Sequence, residues 1–379
     1  MGVDFEVRFV KEGRGVDAIW RSLARFQEVE RLTERVMAAR KIPTEQRPNV
    51  RKQMDQLAFS LNQAREYFRS AESSGPTTRA LMAYYGLIAL ANAEVLWSGD
   101  GMCSFDKRPS RFNSHGFDLV HNDSLLDYGA RPKTDAKGIS GLFGLWRALA
   151  THIPHYAKQT YRYSEGGSRI TYGPTSGVMA LKDLAHPEVP VSLLDCLRQI
   201  PSMIGALDAC DEQTNLCRGV IEQHCTLTPN GSTETLSRTI MLHHLTDEAL
   251  DDIGSKFRIS ARNVPEFRIE RIGTGLAIIW EADTKTPGFA QFSMPEVFAD
   301  SKEEILFVGC GDHLNEFGYY YVALYIAGMI TRYYPHIWIR EMRSNSKAST
   351  LIDELVDNAL SRVPILTASA LEQRIYLYE

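Results

Sequence analysis

Basic and imidazole side chains gather in one polar stretch that follows a long apolar segment. The residues concerned are Arg108, Arg111, His115, His121, Arg131 and Lys133. Guanidinium and ammonium groups bind phosphate oxygens, and histidine exchanges a proton near neutral pH. The pattern predicts that this stretch attracts a phosphate group locally, although the whole chain is acidic. A solvated loop that binds no ligand is the alternative that the same residues allow.

Cysteine and histidine side chains form a second group with chemical potential. Soft metal ligands are available in principle from Cys210, Cys217, His224 and Cys225. The sequence has no C-x-x-C pair, however, and two cysteines seven positions apart on a helix equally fit a packed core. Cys310 lies near His313 and is of the type that acts as a nucleophile, but nothing in the sequence orients the two residues. We therefore expect no metal site.

Common nucleotide-binding and hydrolase motifs are absent from the sequence. Neither G-x-G-x-x-G nor G-x-x-x-x-G-K-[ST] occurs, so neither a dinucleotide fold nor NTP hydrolysis is predicted. H-E-x-x-H and G-x-S-x-G are also missing, which removes common zinc-protease and hydrolase interpretations. We expect no cofactor.

The composition is that of an ordinary folded protein with a slight excess of acidic groups. The chain has 379 residues, with 42 Lys and Arg against 47 Asp and Glu, and its net charge is −5. This balance argues against a dedicated nucleic-acid binder with a wholly basic surface. Six cysteines without a pairing pattern, and a first segment without an apolar leader, predict a cytoplasmic protein. The longest apolar stretch, residues 318–331, is shorter than the ~20 residues that span a bilayer, so no membrane contact is expected.

Three helical segments are predicted before residue 98. Apolar residues three and four positions apart predict one helix over residues 16–39 and a second that ends near Phe68. After the break Ser-Ser-Gly-Pro, the segment RALMAYYGLIALANAEVLW has no charge between Arg79 and Glu94. A helix this apolar has to be buried on nearly all sides. We expect it to be the central helix of the first domain.

Periodicity disappears over residues 98–138, and loops of that length are often functional. Beyond it, two aromatic strands flank a Gly-Gly turn, and a helical piece is predicted over residues 191–224. The runs FRIERI, GLAIIWEA and EEILFVG predict a small, mostly antiparallel sheet. The last part of the chain returns to helix, where the tyrosines of residues 319–334 can stack nucleobases or fill a core.

These elements predict an α+β protein that is predominantly α-helical. Residues 1–155 are predicted to form a helical domain that includes the loop 98–138. Residues 156–310 form a mixed segment with the small antiparallel sheet, and residues 311–379 form a C-terminal helical pair that packs on the rest. Whether the middle segment folds independently is left open.

The segment AREYFRSAESSGPTTRALMAYYGLIALANAEVLW resembles the helical pair of HEPN domains, in which a helix that ends near an aromatic pair precedes an Ala-rich, AYYA-like helix. Together with FNSHGFDL and NEFGYYYVALYIAGMITRYYPHIW, it is similar to the YaaC-like family of bacterial proteins over most of the chain. The YaaC-like resemblance implies a bacterial cytoplasmic protein and no particular chemistry. The HEPN resemblance implies either a ribonuclease or a non-catalytic binding or dimerisation module.

In HEPN ribonucleases an Arg and a His, separated by four to six residues, face each other across a dimer cleft and need no metal. Arg108 and His115 match that spacing directly after the apolar helix, with Arg111 between them. The second choice is the pair Arg147 and His152. Five such pairs occur in the sequence, near the chance rate, and a proline follows Arg108 where nuclease motifs usually carry a polar residue. Catalysis, ligand contact and a structural role all stay open for these residues.

We expect a binding or scaffold module of a bacterial cytoplasmic system, present as a homodimer or a larger homo-oligomer. Its site is predicted in the loop around residues 108–121, where a nucleotide, RNA or protein partner is contacted by Arg108, Arg111, His115 and His121. The alternative is a metal-independent HEPN-type ribonuclease, acting as a toxin-like or phage-defence effector. In that alternative His115 is the general acid and base, and Arg108 or Arg111 stabilises the phosphate.

Overall fold

The structure is a computed structural model, and it describes residues 6–10, 15–150, 156–174, 189–242, 267–272, 275–282, 297–299, 305–308 and 314–378. Its helices are Gly15–Leu23 (α1), Val29–Arg40 (α2), Arg47–Ser73 (α3), Arg79–Ser98 (α4), Gly141–Leu149 (α5), Leu193–Leu197 (α6), Ile204–Ala209 (α7), Glu316–Tyr333 (α8), Pro335–Met342 (α9) and Lys347–Glu372 (α10). The long helices lie near the two ends of the chain.

Most strands lie in the middle of the chain. They are Glu6–Val10 (β1), Phe117–Val120 (β2), Gly129–Pro132 (β3), Thr134–Asp135 (β4), Gly138–Ile139 (β5), Tyr156–Tyr163 (β6), Ser168–Pro174 (β7), Val191–Ser192 (β8), Leu216–Leu227 (β9), Thr233–Leu242 (β10), Phe267–Ile272 (β11), Gly275–Ala282 (β12), Val297–Ala299 (β13), Ile305–Val308 (β14) and Arg374–Tyr378 (β15). The predicted class, a predominantly helical α+β protein, is confirmed.

The apolar stripe predicted for residues 16–39 is buried, but the helix that carries it is broken. The prediction of one continuous helix is wrong, because Ala24–Gln27 form a 3₁₀ turn and Glu28 leaves the helical region with φ −80° and ψ 72°. The bend lets α1 pack against α10 and α2 pack against α3. At the bend, the ring of Phe26 meets the ring of Trp97 edge-on at 5.0 Å.

Helix α4 lies at the centre of the helices, as predicted. It packs against α3, α5, α8 and α10. Small residues allow the close approach, since a Cβ atom added to Gly86 would lie 2.8 Å from the ring of Phe68 on α3, well inside van der Waals contact. In the part of the chain that the structure describes, α4 alone is long and apolar enough to cross a membrane. However, 67% of the 18-residue apolar stretch that meets this criterion is buried inside the protein.

The C-terminal helices pack back on α4. Helix α8 ends before Pro335, and α9 begins at that proline because proline fits the first position of a helix. The sequence pattern missed α9. Arg362 on α10 donates to both carboxylate oxygens of Glu316 on α8 at 2.8 Å, in a pair that is buried between the two helices. The division into three domains stays a prediction.

The sheet in the middle of the chain is larger than predicted. Its order is β11–β12–β10–β9–β14–β13, with β6 joined to β9 and β7 joined to β6. The pairs are antiparallel except β6 with β9, which is parallel. The helix predicted over residues 191–224 is wrong in its second half. Asp211 adopts a left-handed φ of 55° after α7, and the following residues pair with strands on both sides as β9.

The long loop after α4 contains short elements that its sequence did not reveal. Strands β2 and β3 pair with each other, β3 continues to β8, and β4 pairs with β5. Each strand has only two to four residues, which is too short for an alternating pattern to show. The loop is therefore folded against the helices and holds its side chains in defined places.

Glu94 is a buried acid that joins α4 to α5. Its Oε2 atom accepts a hydrogen bond of 2.7 Å from the indole nitrogen of Trp146 on α5. Burial raises the pKa of Glu94 to about 8, and the hydrogen bond from Trp146 offsets only part of that effect. The carboxyl group is thus mainly protonated at pH 7.

We expect Glu94→Gln to change how stability depends on pH. Between pH ~4.5 and ~8 the unfolded chain releases the Glu94 proton while the folded protein keeps it, so the free energy of unfolding falls as pH rises. Glutamine stays neutral, and the variant should gain a few kcal/mol relative to the wild type between pH 5 and pH 8. Urea unfolding at both pH values measures this. Glu66→Gln, at an exposed position of α3, is the control, and parallel curves for Glu94→Gln and wild type would contradict the prediction.

Candidate functional site

A cavity of about 420 Å³ opens beside α4, between that helix, the loop that follows it and the start of α5. Its volume lies in the range of small-molecule sites, ~300–1,000 Å³. The residues that line it are Ile88, Asn92, Phe105, Arg108, Phe112, Asn113, Ser114, His115, Phe117, Lys133 and Leu142. Two basic side chains, one imidazole and three phenylalanine rings are among them, and no carboxylate belongs to this set.

Arg108 is fixed at the cavity by two hydrogen bonds. Its Nε atom donates to the carbonyl of Cys103 at 2.9 Å, and its Nη1 atom donates to Oδ1 of Asn92 on α4 at 2.5 Å. The guanidinium also lies 4.6 Å from the centre of the Phe105 ring. Burial lowers the pKa of Arg108 to about 10, which leaves it charged at neutral pH. The third nitrogen, Nη2, is buried and has no hydrogen-bond partner among the described residues.

Two glutamines of α3 hold the loop that carries Arg108. The side chain of Gln53 is fully buried, donates to the carbonyl of Leu96 at 2.6 Å, and accepts from the backbone N–H groups of Gly101 (3.1 Å) and Cys103 (3.0 Å). Gln56, one turn later, accepts from the N–H of Phe105 at 2.8 Å. The Arg108 loop is thereby tied to α3 through its backbone.

His115 is placed by both its ring and its backbone. Its Nδ1 atom lies 2.9 Å from the hydroxyl of Tyr84 on α4. Its carbonyl accepts from the N–H of Phe143 in the first turn of α5 at 3.3 Å. Burial lowers the pKa of His115, and the nearby cations Arg332 and Lys133 lower it further. The imidazole is therefore neutral at pH 7.

Lys133 brings a second charge to the cavity from the far side of the loop. Its Nζ atom pairs with Oδ1 of Asp118 at 3.1 Å, and both side chains are well exposed. Exposed pairs of this kind contribute little to stability, so the ammonium group remains available to a stronger anionic partner. Lys133 belongs to the basic group that the sequence predicts to attract a phosphate, although it was not among the predicted contact residues.

Most of the tyrosines of α8 are core residues. Tyr319, Tyr320, Tyr321 and Tyr325 are buried, which fits a packed core better than a surface for stacking bases. Two of them support the site from below: Tyr321 donates to the carbonyl of His115 at 3.5 Å, and Tyr325 donates to the carbonyl of Phe117 at 3.0 Å. The hydroxyls of this helix thus hold the first residue of β2 and His115, which lies two positions before that strand.

The structure brings Arg108 and His115 to one cavity and leaves the other predicted contact residues outside its lining. Arg111 bonds to the carbonyls of Gly138 and Ile139 at 3.1 Å and to Asp135 at 2.9 Å, so it fastens the β4–β5 hairpin. His121 is exposed and lies against the rings of Tyr128 (5.1 Å) and Tyr334 (4.6 Å). Arg147 is buried in α5, where burial lowers its pKa, and His152 lies outside the described residues.

Sequence reasoning missed two residues that build the site. Asn92 and Tyr84 both lie on α4, where they hold Arg108 and His115 respectively. A signal was available, because a polar side chain on a helix that is buried on nearly all sides must find a partner inside the protein. The pattern of the helix alone does not say which loop residue supplies that partner.

The shared helix face that the sequence allowed for Cys210 and Cys217 is not formed. Cys210 follows the end of α7 and Cys217 lies in β9, so the two do not share a helix face. In the ranges that the structure describes, no group of three or more His, Cys, Asp or Glu side chains is arranged to hold a metal ion. Cys310 and His313 lie outside these ranges.

Comparisons with known proteins identify one family. A family model described as YaaC-like Protein matches residues 24–371 of the 379. No curated protein and no solved structure is similar enough to the chain to count as a match. The likeness of the N-terminal helices to HEPN domains stays a prediction.

We expect Gln53→Met to release the loop that carries Arg108. Methionine fills a similar volume but leaves one carbonyl and two backbone N–H groups without partners, at a cost of about 1–3 kcal/mol each. Urea unfolding should show the loss of stability, and limited proteolysis should show new cleavage between residues 99 and 108. Gln63→Met, at an exposed position of the same helix, should change neither. Equal behaviour of the two variants would show that Gln53 does not hold the loop.

Proposed function

The chain belongs to the YaaC-like family, and we propose that it is a binding module whose cavity takes a phosphate-bearing ligand of mononucleotide size. The observation that supports this most is the guanidinium of Arg108. Two of its nitrogens are fixed by Cys103 and Asn92, and the third has no partner among the described residues. A fixed cation with an unused donor binds an anion without further ordering of its side chain.

The charges around the cavity support an anionic ligand. Lys133 and His115 line the same space as Arg108, and no carboxylate shares the lining. The chain as a whole carries a net charge of −5, so the charge of the cavity lining is opposite in sign to the net charge of the protein. A locally positive concave surface raises the concentration of phosphate-bearing molecules at its mouth.

The size and the aromatic walls support a ligand that is more than inorganic phosphate. The cavity holds about 420 Å³, several times the volume of a phosphate group. Phe105 and Phe112 are partly exposed and line it, and rings of this kind stack on nucleobases. A nucleoside monophosphate fits both requirements. An oligomeric state, an RNA or protein partner, a cytoplasmic location and a role in phage defence stay predictions from the sequence.

We expect AMP to bind the wild-type protein and to bind Arg108→Gln at least about tenfold more weakly. A charged hydrogen bond contributes ~1.5–3 kcal/mol, which corresponds to a factor of ten or more in affinity. Isothermal titration calorimetry with AMP, and with adenosine as the ligand without phosphate, measures this. The matched control is Arg131→Gln, because Arg131 is exposed in the same loop and does not line the cavity.

Two outcomes would contradict the proposal. One is that AMP binds no better than adenosine, which would mean that the phosphate group contributes nothing to the affinity. The other is that Arg108→Gln and Arg131→Gln bind AMP equally well, which would mean that only the general charge of the loop matters.

A metal-independent ribonuclease is the second candidate. The observation that favours it is that Arg108 and His115, the pair that matches the HEPN spacing, line one cavity. The lowered pKa of His115 keeps its ring neutral at pH 7, and a neutral imidazole is the form that can accept a proton. The cavity lies within one chain, whereas the HEPN resemblance implies a cleft between two.

We expect RNA to stay intact when the wild-type protein is incubated with total bacterial RNA in EDTA, because the structure supports binding more than turnover. A denaturing gel measures this. His115→Ala and His121→Ala are run beside the wild type, since both histidines lie in the same loop and only His115 lines the cavity. Cleavage by wild type and His121→Ala that disappears in His115→Ala would establish the ribonuclease instead.

A further inference from the structure

The hydroxyl of Tyr84 is buried, and its partner is Nδ1 of His115 at 2.9 Å. Within the described ranges no second partner bonds to this hydroxyl. The hydroxyls of the neighbouring Tyr321 and Tyr325 donate to the backbone carbonyls of His115 and Phe117. A buried O–H group needs an acceptor, and burial raises the pKa of Tyr84 well above its usual range, so the phenol keeps its proton. Tyr84 therefore donates to Nδ1.

The direction of this hydrogen bond decides which nitrogen of His115 carries the proton. A neutral imidazole has one N–H group, on Nδ1 or on Nε2. Because Nδ1 accepts from Tyr84, the proton of the neutral ring is on Nε2. That nitrogen has no hydrogen-bond partner in the part of the chain that the structure describes, and it is the one left for a ligand.

We propose that Tyr84 is a positioning residue that holds His115 in its Nε2–H form. The cavity then presents hydrogen-bond donors to its ligand, and it selects a tetrahedral oxyanion that carries no proton. This inference deepens the proposed binding of a phosphate-bearing ligand and rests on it. The ligand class is a phosphate monoester dianion or a sulfate group. Arg108 and Lys133 supply the charged donors, and His115 supplies a neutral one.

The same arrangement makes the ligand-free site unsuited to base catalysis. A general base must present an unprotonated nitrogen to the hydroxyl that it activates. In His115 that nitrogen is Nδ1, which faces the buried hydroxyl of Tyr84 rather than the cavity. Activation of a ribose hydroxyl would first require the proton of the ring to move. The hydrogen bond from Tyr84 thus favours the binding of an anion over ribonuclease catalysis.

The tautomer is measured directly by ¹⁵N NMR of the histidine side chains at pH 8, in the ligand-free protein. His115→Gln assigns the resonances. We expect the wild type to show a protonated Nε2 and an unprotonated, hydrogen-bonded Nδ1 for His115. In Tyr84→Phe the Nδ1 resonance should move to the position of a nitrogen without a hydrogen bond. Tyr320→Phe removes a buried hydroxyl that bonds to the hydroxyl of Ser202, and it should leave the His115 resonances unchanged.

A protonated Nδ1 in the wild type would overturn the inference, because Tyr84 would then accept rather than donate. Identical Nδ1 resonances in wild type and Tyr84→Phe would overturn it as well. Both results are obtained without any ligand. They are therefore independent of whether AMP binds, and a failure of the proposed function is distinguished from a failure of the tautomer assignment.

The ligand class is tested by calorimetry at pH 8 with three probes, namely sulfate, inorganic phosphate and AMP. We expect sulfate and AMP to compete for one site and to bind more tightly than inorganic phosphate, because inorganic phosphate still carries a proton at pH 8 and the other two oxyanions do not. AMP should bind most tightly if the natural source is a nucleotide. Tyr84→Phe should weaken each probe about fivefold, the factor that corresponds to a net hydrogen bond of ~1 kcal/mol. Tyr320→Phe, which removes a buried hydroxyl of α8 that bonds to Ser202, a residue outside the cavity lining, should bind as the wild type does. Tyr84→Phe with unaltered affinity for sulfate and AMP would show that His115 does not donate to the ligand.

Discussion

The requirement that polar groups on a buried helix find partners inside the protein organises this structure. Helix α4 packs against other helices on several sides, and three of its polar side chains reach outward for hydrogen bonds. Tyr84 bonds to His115, Asn92 bonds to Arg108, and Glu94 bonds to Trp146. Two of these partners line the cavity, and the third lies on α5, the helix whose first turn contributes Leu142 to the lining. The site is therefore formed by the same hydrogen bonds that satisfy the polar side chains of the central helix, and it is not a separate addition to the fold.

The parts that the sequence predicted are those with a strong local pattern. The apolar spacing of α3 and α4 is dense enough to identify both helices and their burial, and β11, β12 and β14 are rich in β-branched residues. The parts that failed depend on contacts far along the chain. Strand β9 was interpreted as helix because its pattern is ambiguous until β6 and β10 pair with it. The short strands β2 and β3 are likewise defined by pairing and not by periodicity.

The candidate site was half predictable for a related reason. Arg108 and His115 were identified by residue type and by their place after the apolar helix, whereas spacing alone gave too many pairs to choose from. The sequence could not show which residues fix the positions of Arg108 and His115. The residues that hold them, Gln53, Asn92 and Tyr84, lie on α3 and α4, and the geometry of helix packing decides that these side chains face the loop. Arg111 is the same residue type as Arg108, but its guanidinium donates instead to backbone carbonyls of the β4–β5 hairpin.

The central position of α4 also has a consequence for how the chain is made. This helix ends at Ser98, while two of the helices that cover it, α8 and α10, begin only at Glu316 and Lys347. More than 200 residues therefore have to be synthesised before the first of them emerges, which takes about 10–40 s at the usual rate of translation. During that interval the segment most like a membrane span in the described chain has part of its apolar surface uncovered. Nascent chains at this stage should be the form of the protein that depends most on chaperones and that insertion machinery is most prone to mistake for a membrane segment.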